Sequence, residues 1–409
     1  MRKAFRLNPL IIIPHYSEFV KEKKRLNMKI CAIICEYNPF HNGHAHHIAQ
    51  AKRLSGADAV VCIMSGNFVQ RGEAAILGKY TRAKHAVLSG ADAVIELPCV
   101  FATSPAEIFA KGGVKIATAL NASSLAFGVE NGTEADFIRA AKLLSVEPES
   151  VSKEIKRLLG EGYSYAKARS LAWKDRFPDG FLSSPNNILA IEYAKAVLQS
   201  GANIKLIPVP RIGGAYLDET LSENFSSATA IRKALEKGEK EKLSSQVPPF
   251  AFVDLPKKHY DTLESAEKIA LISTPTNEIK QTLDCTEGLE NALKKAVTAG
   301  VSNIAEHLTS KRYTTSRIRR IMLQNLLKIS ASFVEECLND PLYGNLLAIK
   351  KENTSLLSAF SKDFPLLVRA YDENGLTGVA KKCRDCDRFA DTIFTLVRNL
   401  PPERKNVFI

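Results

Sequence analysis

Long apolar runs are missing from this sequence. None approaches the roughly 20 residues that a helix needs to cross a bilayer, so no helical membrane anchor is expected. Residues 1–27 lack the longer apolar region and small-residue cleavage site of a signal peptide. They read as an addition, either a mis-assigned start codon or a loosely attached arm ahead of Met28. The only CxxC, Cys383 and Cys386, has no second CxxC and no nearby histidine pair to complete a zinc site. It reads as an exposed reduced pair on a helix. Cys31, Cys35 and Cys62 lie in strand-like apolar runs, where a thiol behaves as a small hydrophobe. Reduced cysteines throughout point to a cytoplasmic protein. A GxSxG elbow is also absent, and no other nucleophile motif appears.

Acidic residues are in deficit. Lysine and arginine number 56 against 44 aspartates and glutamates, a net charge of +12 that favours a polyanionic partner such as nucleic acid. Hydrophobic content of 45% is ordinary for a globular chain, and 409 residues suffice for two or three domains.

What is present has a pattern. SGADAVVCIMSG begins at Ser55, SGADAVIELP at Ser89 and SGANIKLIPVPR at Ser200. Each joins a helical run to an apolar β-rich run through a glycine suited to a left-handed helix end. The β-rich runs are apolar throughout, as in strands covered on both faces. ASSLAFGVE supplies another. This alternation predicts an α/β, Rossmann-like domain with a parallel sheet over residues 28–238, whose ligand sits at the carboxyl ends of the strands. Beyond Gly238 helical segments dominate, which predicts a mainly α-helical C-terminal domain over residues 239–409. The stretch SSQVPPFAFVDLPKK suits either side of that boundary.

Two stretches carry candidate chemistry. EYNPFHNGHAHHIAQAK follows the first strand-like run, and its His41-Asn42-Gly43-His44 has the spacing H-x-G-H at a strand-to-helix turn. Two histidines three residues apart on a first helical turn point the same way and donate to phosphate oxygens. Gly43 admits a close ligand. The free N–H groups and dipole of the helix start favour an anion. His46 and His47 read as helix-surface or packing residues. A metal site would need a converging third ligand, for which Glu36 is the only neighbour, and no resident metal is expected. The second stretch, SSATAIR, places Ser226, Ser227 and Thr229 before a helical run with Arg232 in its first turns. Alone it reads as an N-cap with an exposed arginine.

Together the stretches resemble the HxGH and S-S-x-x-I-R signatures of HIGH-superfamily nucleotidyltransferases. The ordered segments CEYNPFHNGHAHHI, MSGNFVQRGEAAILGKYTRAKHAV, GADAVIELP, SPAEIFAKGGV, LAFGVE, SPNNILAIEY, RIGGAYLD, SSATAIR and KRYTTSRIRRI closely resemble the bacterial tRNA(Met) cytidine acetate ligase family. The resemblance spans Met28 to about Leu327 and loosens from Phe333 onward. It implies an ATP-dependent acetate ligase that forms acetyl-adenylate and passes the acetyl group to N4 of the wobble cytidine (C34) of elongator tRNA(Met). ATP with Mg2+, acetate and tRNA are the expected substrates and partners.

The same resemblance implies site roles. Ile34, Cys35, Glu36, Tyr37, Asn38, Pro39, Phe40, His41, Asn42, Gly43, His44, Ala45, His46 and His47 form the ATP loop, with His41 and His44 as catalytic groups on the phosphates. Gly128 admits the nucleotide, although a tight turn would also explain it. Asn186 bonds the nucleotide, with Asn187 as the competing choice and a helix N-cap as the plainer explanation. Arg211, Ser227, Thr229 and Arg232 complete the triphosphate site. Lys311, Arg312, Arg317, Arg319 and Arg320, with Tyr313 among them, form a basic run for tRNA phosphates; a solvated helix face is the plainer alternative. The loop with Gly66, Asn67, Gln70, Arg71 and Gly72 covers acetate or presents the cytidine, or else merely connects to a helix with Lys79 and Arg82 in solvent. Two rival functions are a nucleotidyltransferase that adenylylates a small phosphorylated acceptor and a non-catalytic RNA-binding protein.

Overall fold

The computed structural model describes residues 28–409 apart from 147, 164, 179, 212–220, 222–224, 260–262, 362 and 402–405. Residues 1–27 and most of RIGGAYLD therefore lie outside the described residues. Ten strands are present among them: β1 (Ile30–Cys35), β2 (Ala59–Ser65), β3 (Phe68–Val69), β4 (Glu73–Ala74), β5 (Ala93–Leu97), β6 (Ser124–Val129), β7 (Lys205–Pro210), β8 (Gly344–Ile349), β9 (Leu366–Leu367) and β10 (Val407–Phe408). The helices that matter here are α1 (Asn42–Ser55), α2 (Lys79–Leu88), α3 (Ala106–Ala119), α4 (Pro185–Ser200), α5 (Ala228–Glu236), α6 (Thr315–Leu327) and α7 (Gly378–Arg398).

The main sheet runs β10-β8-β5-β2-β1-β6-β7, with β9 beside β8. The pairs β1–β2, β1–β6, β2–β5 and β6–β7 are parallel, as the helix–strand alternation predicts. Alternate residues of β1 enter different cores. Ile30, Ala32 and Ile34 join Phe109 and Val114 of α3, whereas Cys31 and Ile33 join Ile48 and Ala51 of α1. Both faces are thus covered, which is why the strands read as unbroken apolar runs. Gly56 at φ 59 closes α1 in the left-handed conformation, returning its N–H to the Lys52 carbonyl.

From β1 the chain builds outward to β2 and β5 on one side, then returns to β6 and β7 on the other. The reversal opens a crevice at the carboxyl end of β1. Arg82 of α2 fixes one wall of it. This fully buried guanidinium donates to the carbonyls of Glu36 and Ser65, just beyond β1 and at the end of β2, and to those of Gly66 and Leu77. Lys79 is equally buried, against Glu96 and Asp391 at 2.7 Å each. Both side chains, expected in solvent as the plainer alternative, are structural.

The second half is mainly helical, as expected, but it is not separate from the sheet. Leu271, Leu293, Ile304, Ile318 and Met322 do form a separate helical core. The chain then returns to the sheet: β8 pairs antiparallel with β5, and β9 and β10 pair parallel with β8. All six residues of β8 are buried. So short an apolar run fits strand and buried helix alike, and periodicity does not separate them. Leu243, Val247 and Ala251 pack with Ile76, Ile231 and Leu235, so one core crosses the boundary at residue 238. Cys383 is fully buried and Cys386 partly so, with Cys386 Sγ 3.4 Å from Cys99 Sγ. The CxxC is therefore not the exposed pair expected.

Removing the guanidinium should leave several strand-end carbonyls without a donor. Arg82→Ala is expected to lower the unfolding free energy by about 3 kcal/mol or more in urea denaturation. A loss below about 1 kcal/mol would mean that water replaces it.

Candidate active site

The HxGH turn is built around its own histidines. His41 is the N-cap of α1, and its Nδ1 accepts the Gly43 N–H at 3.1 Å. His44 Nδ1 in turn accepts the His41 N–H at 3.3 Å, a capping box made by two imidazoles. The rings stack with centroids 3.6 Å apart. Gly43 serves this packing: a Cβ there would lie 2.9 Å from His41 Cε1. The glycine is thus required by the histidine ring, ahead of any ligand. The helix-start N–H groups expected to be free are occupied too. Asn42 N donates to Gln246 O at 3.0 Å, Gly43 N to His41 Nδ1, and His44 N to His41 O.

These bonds assign the tautomer. A neutral imidazole whose Nδ1 accepts carries its proton on Nε2. Both rings are neutral, because burial pushes His41 down to about 3 and His44 well below its ordinary value. Arg211 adds to the effect in both, and Arg232 in His41. Each histidine therefore keeps one donor, Nε2–H, for a ligand. His47, one turn further along α1, is pushed down to about 4 by burial, with smaller effects from His46 and Arg211, and its buried Nε2 has no hydrogen-bond partner among the described residues.

The rest of the loop divides by direction. Tyr37 and Phe40 are buried core residues, with the Tyr37 hydroxyl 3.3 Å from Cys62 Sγ. Tyr37 holds φ at 52, a left-handed conformation that a bulky side chain adopts only when its surroundings enforce it. Ile34 is likewise core, so these side chains are packed into the fold. Asn38 Oδ1 accepts the Ile76 N–H, and its carbonyl accepts from Arg232 at 2.9 Å. His46 lies edge-on to Phe225. Glu36 is partly buried, its carboxylate taking the Gln70 N–H at 2.7 Å. Burial raises its pKa, against the pull of that bond and of Arg232, Arg71 and Arg82.

Around this turn the sheet assembles the other candidates. Gly128 is in extended strand β6 opposite Val209, not in a tight turn. Among the described residues a Cβ there would meet only Arg211 Cγ, at 3.7 Å, so their packing does not demand glycine. Arg211 follows β7 directly and hydrogen-bonds Val129 O through its N–H. Asn187 is fully buried, accepting from Glu130 N and donating to Asn131. Asn186 is only partly buried and donates to Glu130 Oε1 at 2.7 Å. Neither is the N-cap, which is Ser184. Ser227 caps α5 through the Ala230 N–H, and Thr229 Oγ1 accepts from Arg232 at 3.3 Å.

Sequence reasoning passed over Gln246. Its carbonyl takes the Asn42 N–H and its side-chain oxygen the Ser226 N–H, while Ser245 O takes Asn42 Nδ2. These two residues tie the HxGH and SSATAIR stretches together. They lie in the irregular segment after residue 238, where no periodicity marks them.

The basic run at α6 is largely committed within the fold. Arg317 donates to Asp284 O and Thr286 Oγ1 and stacks over Tyr313, whose hydroxyl donates to Glu287. Arg319 pairs with Glu73. Arg320 lies 3.6 Å from Asp284 and reaches Gln70 O at 3.5 Å. Lys311 and Arg312 alone of the five are exposed.

Comparison with known proteins agrees with this geometry. Residues 28–406 match the family described as HIGH Nucleotidyl Transferase. A tRNA(Met) cytidine acetate ligase of Leuconostoc citreum is 33% identical over 93% of this chain and 96% of its own. One of a Thermoanaerobacter species is 37% identical over 90% and 95%. Among solved structures, Thermotoga maritima TmcAL in its apo form matches with a TM-score of 0.84 and 27% identity, over 93% of this chain and all of that one. The same protein bound with alpha-thio ATP matches at 0.82, with 27% identity over 93% and 99% of the two chains.

Folding excludes protons from His41 and His44, whereas the unfolded chain binds them near pH 6.5. The stability these rings contribute is complete above about pH 6.5 and is lost as pH falls toward 3, at about 1.4 kcal/mol per unit for each ring. The melting temperature should fall between pH 7 and pH 5. His41→Asn, which keeps a capping oxygen, should fall less steeply; parallel slopes would assign the loss elsewhere.

Proposed function

We propose the following reaction from one premise: this chain belongs to the HIGH nucleotidyl transferase family and, within it, to the tRNA(Met) cytidine acetate ligases. It is an ATP-dependent acetate ligase. A carboxylate oxygen of acetate attacks the α-phosphorus of ATP, and pyrophosphate leaves. The N4 amine of the wobble cytidine (C34) of elongator tRNA(Met) then attacks the acetyl carbon. AMP departs with the bridging oxygen, and N4 loses a proton.

One observation carries this reading. Two neutral histidines with Nε2–H donors lie within electrostatic reach of two guanidinium groups, Arg211 and Arg232, beside a glycine that packing does not demand. Such a site has several donors for phosphate oxygens and no obvious nucleophile. Acyl-adenylate formation needs this kind of positioning and charge stabilisation. His41 and His44 donate to the triphosphate as charge shifts toward pyrophosphate. Arg211 and Arg232 neutralise it. Asn186, the more accessible of the asparagine pair, bonds the nucleotide beside Gly128. Ser227 acts through the α5 cap and Thr229 through Arg232.

Mg2+ is assigned to the triphosphate, held by phosphate oxygens and water. Among the described residues no three His, Cys, Asp or Glu side chains converge as ligands for an ion. Lys311 and Arg312 are the best placed of the basic run for tRNA phosphates. A tRNA substrate implies a cytoplasmic location, and no helix among the described residues is long and apolar enough to cross a membrane.

The test uses ATP, labelled acetate and total bacterial tRNA, followed by digestion to nucleosides. ATP-dependent label on N4 of cytidine is expected. Label in neither acetyl-adenylate nor cytidine would return the phosphorylated-acceptor reading. His44→Ala should reduce acetate-dependent ATP–pyrophosphate exchange by about 100-fold or more, with tRNA affinity unchanged. Full exchange in that variant would remove His44 from the reaction.

A further inference from the structure

The nucleotide groups named above come from the carboxyl ends of β1, β6 and β7, and from α5. The opposite side of the crevice, beyond β2 and β5, is closed by the loop from Gly66 to Gly72. We propose that this loop is the acceptor wall of the site, facing the cytosine, and that Lys79 and Asp391 are positioning residues that hold it for acetyl transfer. The inference rests on the proposed ligase reaction.

The loop meets the nucleotide side at Glu36. Gln70 N donates to that carboxylate at 2.7 Å, and Arg71 acts on the same group that Arg232 attracts from the other side. Gln70 Nε2 is buried with no hydrogen-bond partner among the described residues. Such a donor is costly to leave unpaired and suits an acceptor such as the O2 or N3 of cytosine.

Two C-terminal helices hold the loop in place. On the α7 side, Asn67 Oδ1 accepts the Lys79 N–H at 2.8 Å and Asn67 Nδ2 donates to Asp391 Oδ1 at 2.9 Å. Lys79 Nζ joins Asp391 Oδ2 to Glu96 Oε1. Gly66 fits against Glu96 only because it has no side chain, since a Cβ would lie 2.5 Å from Oε1. On the α6 side, a Cβ on Gly72 would lie 2.5 Å from Arg320 N, and Arg319 pairs with Glu73. A loop fastened so closely through buried charge has one defined position. Displacing a reactant by about 1 Å can cost 100-fold in rate.

Asp391→Asn removes one charge from this network and leaves Lys79 paired with Glu96. In wild-type protein, acetate-dependent ATP–pyrophosphate exchange and labelled cytidine test the ligase reading itself. With both in hand, the variant should keep exchange within about threefold and lose acetyl transfer by about tenfold to a hundredfold. It should release AMP without a matching yield of acetylcytidine. Amide hydrogen exchange should quicken in residues 66–72 and stay unchanged in α1. Asp391→Glu should recover part of the transfer. Equal exchange and transfer would overturn the proposal, as would unchanged amide protection of the loop. So would a loss confined to thermal stability.

Discussion

One buried guanidinium governs the geometry of the reaction crevice. Arg82 enters the carboxyl ends of β1 and β2 from α2 and takes up carbonyls at Glu36, Ser65, Gly66 and Leu77. Strand ends at a topological switch point expose carbonyls that no neighbouring strand can satisfy. A planar fork with five donors meets that need in a way that lysine, as a point charge, does not. With those ends fixed, the chain leaves β1 in one direction toward the HxGH turn, and leaves β2 in another toward the loop over residues 66–72. The two halves of the site diverge from a single side chain.

The electrostatics follow from what is packed around that frame. Three histidines are pushed down by burial and by Arg211, and each stays neutral at physiological pH. Glu36 is raised by burial while three arginines oppose the shift. The crevice is therefore a cationic site whose imidazoles are uncharged donors. A triphosphate would relieve the repulsion between its arginines, so anion binding and local stability are linked. Capping sets the tautomer of two of them: His41 and His44 each use Nδ1 on a backbone N–H and have only Nε2–H left to donate.

The legible part of the site was local in sequence. HxGH and SSATAIR each place their residues within seven positions, and the strand-to-helix turn that presents them follows from periodicity and glycine. Solvated Lys79 and Arg82 is one of two alternatives the sequence leaves open, because Lys79 meets Asp391 from 312 residues away and Arg82 takes carbonyls up to 46 residues away. Gln246 is invisible for the same reason: its neighbour Ser245, which bonds the Asn42 side chain, lies 203 residues from it. Gly128 and Asn186 needed the fold to separate them from a turn and an N-cap. The basic run shows the same limit from the other side. Its composition suggested an RNA surface, whereas Arg317, Arg319 and Arg320 are taken up by Asp284, Thr286, Glu73 and Gln70. Charge in a sequence does not show whether its partner is solvent, ligand or another part of the chain.

That commitment changes what the C-terminal half is for. Had it been a separate helical appendage, its cations would have been available to RNA and its removal would have left the crevice intact. Instead β8 completes the sheet against β5, α6 presses on Gly72, and α7 carries Asp391 into contact with Asn67 and Lys79. Buried charges arranged this way are weak sources of stability and strong constraints on geometry, because any other register strands one of them. On the reaction proposed above, the half of the chain that fastens residues 66–72 would also lie against the tRNA, and the two contacts would be coupled.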